Sequence, residues 1–529
     1  MRSVPAKLWV FSIGSAVLQA LPFPVAGPVP LWRRAFCWFC LVPLLLALLG
    51  KDSEGKKIGP KQAALLGYGC GVVWYAANCY WIYQTMYLYG GIPKVPSFGI
   101  LVLFALYLGL YHALFAWAVA IVHRSYSAVI ALYAVPFLWV ALEFARTRIT
   151  GFPWDLLGYT QVDNFALTAL APLGGVMLLS FAIAAVNAMF AAGFYGFPAI
   201  RRWQVTAMAV AVAVLLQAGS LVPPVTDAAT SSAVLLQENL SVGAEARQSL
   251  RLTLPQEFVS FGALSRKSMM EAQSKPNLIV WPEAPADFNT ADPMFRSTLS
   301  NLARSTDTPV IAGSLGVDYD STAERGYHEY GSAAVFDHDG NYIGRYDKVH
   351  LVPWGEYVPF KDLFSFAGKL TANVGDLEPG RKHTLFPING HKFGIFICYE
   401  SIFGDEVRDF VKNGADVLVN ISDDGWYGDT GAPWQHLDME RMRAIENHRW
   451  ILRDTNTGVT TSIDAHGRGD FTTPRHVREA FNFPFAYSSK KTFYTLHGDW
   501  FAWLCVAVTL LLLAATKLRP QVTRSGKVH

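Results

Sequence analysis

Charge is what this sequence has least of. Asp, Glu, Lys and Arg together make up 16% of its 529 residues, against 52% hydrophobic residues, whereas a soluble domain carries about a quarter. Length alone would suggest roughly three or four soluble domains. The scarcity of charge excludes that and puts much of the chain in lipid. Neither sign dominates: the net charge is +3. With no basic patch interleaved with aromatics, nucleic acid is excluded as a partner. No internal repeat or long low-complexity segment stands out. No small-residue cleavage site follows the first apolar run, and more such runs come after it, so that run reads as an uncleaved anchor.

Cysteine is scarce too. There are six, and Cys37, Cys40, Cys70, Cys79 and Cys505 all fall in apolar runs. Cys398 alone lies in the long polar segment, which excludes a disulfide framework there. Most free cysteines are small buried hydrophobes, and that is the plain reading of Cys398. The Cys37-x-x-Cys40 pair sits inside an apolar run with no second pair, so it carries no metal or redox assignment. Nothing in the sequence calls for a metal or a cofactor.

Long apolar runs are abundant. Runs long enough to cross a bilayer are predicted at 8–26, 35–50, 62–83, 98–122, 127–144, 166–195, 204–222 and 499–516, about eight in all. The second is short and extends back to Leu31 if it spans. Arg2, Lys7, Lys51, Lys56, Lys57, Lys61, Arg124, Arg201, Arg202, Lys517, Arg519, Arg524 and Lys527 crowd the short segments on one side. Arg33, Arg34, Lys94, Arg146 and Arg148 lie on the other. Positive charge marks the cytoplasmic side, which puts the N-terminus inside and residues 223–498 outside the cytoplasm. The pair Arg33 and Arg34 fits this worst. The predicted organisation is a membrane domain of seven helices over 1–222, an exported domain over 223–498, and a last helix with a tail over 499–529.

From residue 232 the pattern changes to short apolar runs separated by helical and turn segments. "SAVLLQEN", "NLIVWPEAP", "TPVIAGSLGV", "KFGIFICYE" and "ADVLVNISDDGW" read as strands. "YGSAAVFDHDGNYIGRYDK" reads as a hairpin turning at Asp339-Gly340, and "GVTTSIDAHGRGDF" as strand, turn and strand. Helices are predicted at 244–273, 293–304, 402–413 and 434–448. Alternation of this kind predicts a layered α/β sandwich, with near-continuous strands such as "GIFIC" covered on both faces. The stretch 361–375 is apolar, interrupted by glycine and without periodicity. It reads as a packed loop, a mobile cover, or an element dipping into the bilayer surface.

Chemistry in such sheets gathers where strands end. "LIVWPEAP" ends at Glu283, framed by Trp281-Pro282 and Ala284-Pro285. Lys348 follows the hairpin, ahead of Glu356, and "GIFIC" ends on Cys398. A lone Glu or Lys after a strand is usually a solvated end. The proline and aromatic framing around these two costs flexibility that an ordinary surface loop keeps. A carboxylate to take a thiol proton, an ammonium to hold an oxyanion and a thiol nucleophile form the set needed for acyl transfer through a thioester.

"WPEAP", "YDKVHLVPWGEYVP", "ICYES" and "NISDDGWYGDTGAPWQHLDMERMRAIENHRW" resemble the apolipoprotein N-acyltransferase family, a membrane-bound branch of the nitrilase (carbon–nitrogen hydrolase) superfamily. The likeness extends upstream to "NCYWIYQTMYLYGGIP" and "LEFARTRITGFPWDLLGY" and so covers most of the chain. It implies a multi-span helical membrane domain joined to an αββα nitrilase-like sandwich. It also implies roles: Glu283 as general base, Lys348 as transition-state stabiliser, Cys398 as nucleophile. Glu356 supports this triad, and Tyr399, Glu400 and Trp281 help shape the site. The implied reaction takes an acyl chain from a membrane phospholipid, often phosphatidylethanolamine, onto the cysteine. It then passes the chain to the α-amine of the diacylglyceryl-cysteine of an apolipoprotein. The implied location is the bacterial inner membrane, with the catalytic domain in the periplasm. Where the family usually has Gln-Gly-Asn or Gln-Gly-Asp, this sequence has Gln237-Glu238-Asn239, and no tryptophan follows in "SVGAEARQSLRL". The family's Asn-Asp is Asp423-Asp424 here. These departures leave the triad intact and fall where substrate contacts around 238–250 are expected.

Other readings share these residues. A membrane-tethered nitrilase-type amidase would use the same triad with water as acceptor. A transporter with an exported domain would need functional charges near mid-bilayer; few candidates stand there, and Glu143 lies close to a span end. A cysteine-protease-like site would pair Cys398 with His350 or His436, which lack the framing of Glu283 and Lys348.

Overall fold

The computed structural model describes residues 3–195, 199–223, 227–243, 254–272, 274–283, 288–323, 325–357, 376–471 and 473–518. Before the first strand lie six long helices: α1 (Ala6–Ala20), α2 (Pro60–Asn78), α3 (Lys94–Ser125), α4 (Ala128–Ala145), α5 (Ala171–Phe194) and α6 (Ala199–Ala218). Between α1 and α2 the apolar segment Leu31–Leu48 is helical in pieces, Leu31–Arg34 and Val42–Leu48, joined by a tighter turn over Ala35–Trp38. Among the described residues, six helical segments are long and apolar enough to cross a membrane, the last of them Trp500–Leu518. The expected spans at 8–26 and 62–83 are helices α1 and α2, which are outside that set. The first is short, and the second opens on Pro60, Lys61 and Gln62.

Glycine lets α2 and α3 approach closely. A Cβ on Gly67 would lie 2.3 Å from the His112 carbonyl oxygen, and one on Gly71 would lie 3.0 Å from Gly109 Cα. Small residues at such contacts are how helices pack where lipid supplies no hydrophobic drive between them. The outward faces stay apolar: Leu103, Tyr133, Leu215 and Leu511 are all exposed, as suits a surface that meets acyl chains rather than water.

The second part is a sandwich of two sheets. Its elements are β1 (Ser231–Gln237), α7 (Leu254–Glu271), β2 (Leu278–Trp281), α8 (Pro293–Thr306), β3 (Val310–Tyr319), β4 (Tyr327–Phe336), β5 (Tyr342–Asp347), β6 (Leu385–Ile388), β7 (His391–Ile397), α9 (Gly404–Lys412), β8 (Val417–Ser422), α10 (Ala432–Asn447), β9 (Ile451–Thr455), β10 (Thr461–Ile463) and β11 (Glu479–Phe485). Helix α11 (Trp500–Leu518) then follows. One sheet runs β11-β1-β2-β3-β4-β5 and the other β10-β9-β8-β7-β6. Alternate residues along each strand face opposite layers. Leu235 and Val280 meet Ile395 and Val419 between the sheets, while Leu236 and Trp281 face Phe261 and Phe295 on helices α7 and α8. This is the expected αββα sandwich.

The hairpin of β4 and β5 turns where Asp339-Gly340 predicted, with Gly340 at φ +77°. Two expectations need correction. "GVTTSIDAHGRGDF" holds one short strand, β10, and its antiparallel partner is the unanticipated β9. Strands β6 and β11 were also not anticipated. β6 is four residues long, and β11 alternates exposed and covered residues around Pro484 as an edge strand does. The stretch 361–375 lies outside the described residues, as do residues 244–253 of the predicted helix 244–273.

Helix α10 has no solvent face. Every residue from Gln435 to Asn447 is buried. Leu437 and Ala444 join the core between sheet and helix, while Met439, Met442 and Ile445 join the core of the membrane helices. Polar contacts fix the joint. Gln435 Nε2 donates to the carbonyl oxygens of Pro24 and Asn78, and its Oε1 accepts from Trp154 Nε1 at 2.8 Å. Glu446 Oε1 accepts from Val176 N at 2.8 Å, where α5 is broken at Gly174-Gly175. Arg34, half of the pair that fitted the charge count worst, is buried and bound to Asp163 at 2.7 Å and Asp438 at 2.9 Å. Arg33 donates to the carbonyl oxygens of Leu21 and Phe23. These are structural charges rather than free loop charges.

Candidate active site

Strands β7, β8 and β9 are parallel and in step, with Ile397 opposite Ile421 and Ser422 opposite Thr455. Their last residues therefore lie side by side, and Cys398 is the first residue beyond β7. It has φ +49°, a left-handed conformation that costs a residue with a Cβ about 1–2 kcal/mol. The turn Cys398–Ile402 then reverses the chain into α9. The thiol thus sits on a sharp bend between strand and helix.

Sequence-distant elements meet at this bend. Glu283 follows β2 and Lys348 follows β5. Lys348 Nζ lies 3.2 Å from Glu283 Oε1 and 2.6 Å from Glu356 Oε1. The Lys348 side chain is wholly buried, and its backbone is fixed by bonds to Gly331 O and from Gly380 N. Glu283 Oε2 accepts from Asp423 N at 2.9 Å, just beyond β8. Glu356 Oε2 accepts from Val352 N at 2.8 Å. The buried Cys398 thiol feels the charges of both Glu283 and Lys348. The structure thus brings together all three members of the expected triad, and Glu356 with them.

Electrostatics set the protonation states. Burial and the Glu283 charge push the Cys398 thiol well above its ordinary value, against the pull of Lys348. Burial raises Glu283 as well; Lys348 opposes this and Glu356 adds to it. Burial disfavours the Lys348 ammonium, but the two carboxylates outweigh it and hold the amine charged, well above its usual range. A protonated thiol beside a carboxylate of raised basicity and a fixed ammonium needs its proton taken during attack. Glu283 is placed to take it.

Glu400 ties the site together. Its Oε2 accepts from Ile397 N at 2.6 Å, and its Oε1 accepts from Val349 N, His350 N and the Tyr346 hydroxyl at 2.7, 3.1 and 2.8 Å. One carboxylate therefore locks the Lys348 segment to the Cys398 bend. Burial pushes it up to about 7 despite those donors. Tyr399 is buried, and its hydroxyl donates to Gly151 O at 3.3 Å, reaching the loop that follows α4. Trp281 points away from the thiol, into the layer under α7, where its Nε1 donates to Ser265 Oγ at 3.1 Å. It anchors the strand that carries Glu283. His350 stacks on Phe403 with ring centroids 3.7 Å apart and contacts Glu406 through Nδ1. His436 Nε2 faces the Cys398 carbonyl oxygen and Ser401 Oγ.

The comparisons with known proteins bear on the family of the chain. Residues 15–189 match the apolipoprotein N-acyltransferase N-terminal domain, and residues 217–475 match the carbon-nitrogen hydrolase family. A protein of Geobacter metallireducens named apolipoprotein N-acyltransferase is 34% identical, over 98% of this chain and 97% of the relative. The chain belongs to the apolipoprotein N-acyltransferase family. A second relative of that name, from Methylococcus capsulatus, is 32% identical over 94% of this chain and 96% of its own. Among solved structures, Saccharomyces cerevisiae Nit3, of the nitrilase superfamily, aligns at TM-score 0.37 and 18% identity over 50% of this chain and 93% of that one.

Against that family pattern, Glu238 is the departure that matters. It is buried and leaves one carboxyl oxygen without a hydrogen-bond partner among the described residues. Burial, with Glu257 and Asp423 nearby, pushes its carboxyl well above the usual range. Asp423, in the family's Asn-Asp position, is pushed up to about 8 by burial despite a bond from Asn456. Residues 244–250 lie outside the described set. The sequence reading missed Ser422, Glu440 and Arg453, took His436 only as a rival partner for Cys398, and noted Asp424 only as a departure from the family's Asn-Asp; all five are buried. A signal for Glu440 was present: "HLDMERMRAIENHR" is dense in charge. In a helix of a charge-poor chain that pattern marks burial between two layers rather than a wet face.

Proposed function

We propose that this chain moves a fatty acyl group from a membrane phospholipid to the N-terminal amine of a diacylglyceryl-cysteine apolipoprotein, by way of a thioester on Cys398. The observation that carries the reading is the convergence of Cys398, Glu283 and Lys348 on one bend, next to residues that touch the membrane helices. Glu283 takes the thiol proton as sulfur attacks the ester carbonyl. Lys348 faces the oxyanion. The C–O bond breaks, the lysophospholipid leaves with the proton from Glu283, and the thioester remains. A neutral amine then attacks, the C–S bond breaks, and Glu283 carries the amine's proton to the departing sulfur. The net result is one ester consumed and one amide formed.

Phosphatidylethanolamine is the proposed donor, and the proposed location is the inner membrane with the site on the periplasmic side. Residues 223–498 form the catalytic part in this reading, between helices of 1–222 and 499–529. Embedding in the bilayer suits a reaction whose donor and acceptor are both lipid-anchored, because confinement to one leaflet raises their effective concentration.

Mass spectrometry tests this directly. Purified protein incubated with phosphatidylethanolamine alone should gain one acyl mass, mapped to Cys398. A diacylated lipopeptide added next should remove it and become triacylated. Release of free fatty acid with no lipopeptide product would show water as the acceptor and favour a membrane-tethered nitrilase-type hydrolase.

A further inference from the structure

Cys398 holds a conformation that its own side chain disfavours, and its immediate neighbours explain only part of how. Glu400 fixes the amide before the bend, through Ile397 N. The Cys398 carbonyl oxygen on the other side meets His436 Nε2 at 3.2 Å, and the same nitrogen lies 2.6 Å from Ser401 Oγ. His436 Nδ1 lies 3.0 Å from Asp424 Oδ1. Asp424 Oδ1 also accepts from Ser422 Oγ at 3.2 Å. Asp424 thus reaches the backbone of Cys398 through His436.

The assembly is buried and braced. His436, Asp424, Glu440 and Arg453 have no exposed side-chain surface. Arg453 Nη2 donates to Asp424 Oδ2 at 2.6 Å, and its Nη1 donates to Glu440. Trp154, on the membrane side, lies nearly parallel to the His436 ring, at 11° with centroids 6.0 Å apart. A carboxylate with several donors, a histidine clamped at both nitrogens and a stacked indole leave the imidazole one orientation.

We infer that His436 is a positioning residue for the nucleophile, held by Asp424 and Arg453, and that its Nε2, hydrogen-bonded at the Cys398 carbonyl oxygen and Ser401 Oγ, keeps the thiol aimed at the acyl carbonyl. The inference rests on Cys398 being the nucleophile. Misplacement of an attacking group by about 1 Å costs on the order of 10²-fold in rate, and that is the effect assigned to losing this bond.

Two amides separate positioning from mere packing. The side-chain nitrogen of Gln reaches roughly where Nε2 lies, whereas that of Asn reaches only to Nδ1. His436→Gln should therefore retain acyl-enzyme formation within about tenfold. His436→Asn and His436→Ala should lose about 10²-fold in its maximal rate, with the KM for phosphatidylethanolamine unchanged. A second readout needs no lipid: alkylation of Cys398 by iodoacetamide, mapped by mass spectrometry, should slow in the same order. All variants are compared as the folded, detergent-purified full chain, with thermal unfolding measured alongside. Equal rates for Gln and Asn, or losses that follow thermal stability alone, overturn the inference. Cys398→Ser is run in parallel. If it still forms the acyl-enzyme, the nucleophile assignment itself fails, a result the histidine variants cannot mimic.

Discussion

Lys348 Nζ sits nearer to Glu356 than to Glu283, 2.6 Å from Oε1 of the first and 3.2 Å from Oε1 of the second. Glu356 therefore takes the larger share of the ammonium and leaves Glu283 basic enough to act. Glu356→Gln should release Lys348 towards Glu283 and weaken the base. The expected loss in acylation rate is about 10–10²-fold, less than the roughly 10²–10⁴-fold for removing a base outright. Single-turnover acylation from phosphatidylethanolamine measures it.

Removing triad members should give a graded series. Cys398→Ser should abolish the thioester while the fold persists. Glu283→Gln should cost roughly 10²–10⁴-fold in acylation. Lys348→Met, which keeps much of the stem without its charge, should cost about 10²–10³-fold. Wild-type acylation in Glu283→Gln would show that another group takes the proton.

Glu400 predicts an effect on both stability and rate. Both its oxygens face donors: Ile397 N on one side, and Val349 N, His350 N and the Tyr346 hydroxyl on the other. Whichever way the amide of Glu400→Gln turns, its NH₂ opposes an N–H and leaves buried donors unpaired. That should cost about 1–3 kcal/mol of stability, read as a lower Tm. It should also slow acylation, because the Lys348 segment and the Cys398 bend are no longer held together. An unchanged Tm would contradict this account of Glu400.

Stability and activity should move in opposite directions with pH. Burial raises Glu400 and Glu446 to about 7 and Asp423 to about 8, while in the unfolded chain each titrates near about 4. The folded state thus holds these protons more tightly. Their contribution to stability is fully present below about 4 and is lost as pH rises through about 7 to 8. The Tm in detergent should fall across that window. Acylation should rise as Glu283, itself raised, loses its proton. Thermal unfolding and single-turnover rates on the same buffers check both.

Topology is tested by reporters. A fusion within 227–231 or after residue 498 should behave as periplasmic, and one after residue 520 as cytoplasmic. The charge count that supports this is cleaner for Arg34 being committed to Asp163 and Asp438. A cytoplasmic signal from the first fusion would overturn the orientation.

The parts that were legible in sequence follow from local rules. Apolar runs gave the long helices, and "GIFIC" gave a buried strand with Cys398 at its end. Proline framing drew attention to Glu283 and Lys348, whose roles the family resemblance then supplied. What escaped notice depends on partners far along the chain. Strand β11 is an edge strand whose register is set by β1, more than two hundred residues earlier. Glu400 stood beside the thiol in sequence, yet three of its four donors, Tyr346, Val349 and His350, lie some fifty residues earlier. His436 looked like a rival base, and only the geometry shows it facing the carbonyl oxygen of Cys398. Arg34 looked like a charge in the wrong place because its partners lie beyond residue 160.

Helix α10 is a wall shared by two rooms. One side closes the sandwich, and the other is floor to the membrane helices, with Met439, Met442 and Ile445 set into that floor. Cutting the chain between the two parts would therefore not free a soluble enzyme. It would bare an apolar and charged surface that has no water-facing alternative, a few residues from the nucleophile's bracing. Trp154 and Pro24, on loops of the membrane part, touch that wall directly through Gln435, so the two parts share one joint rather than a linker.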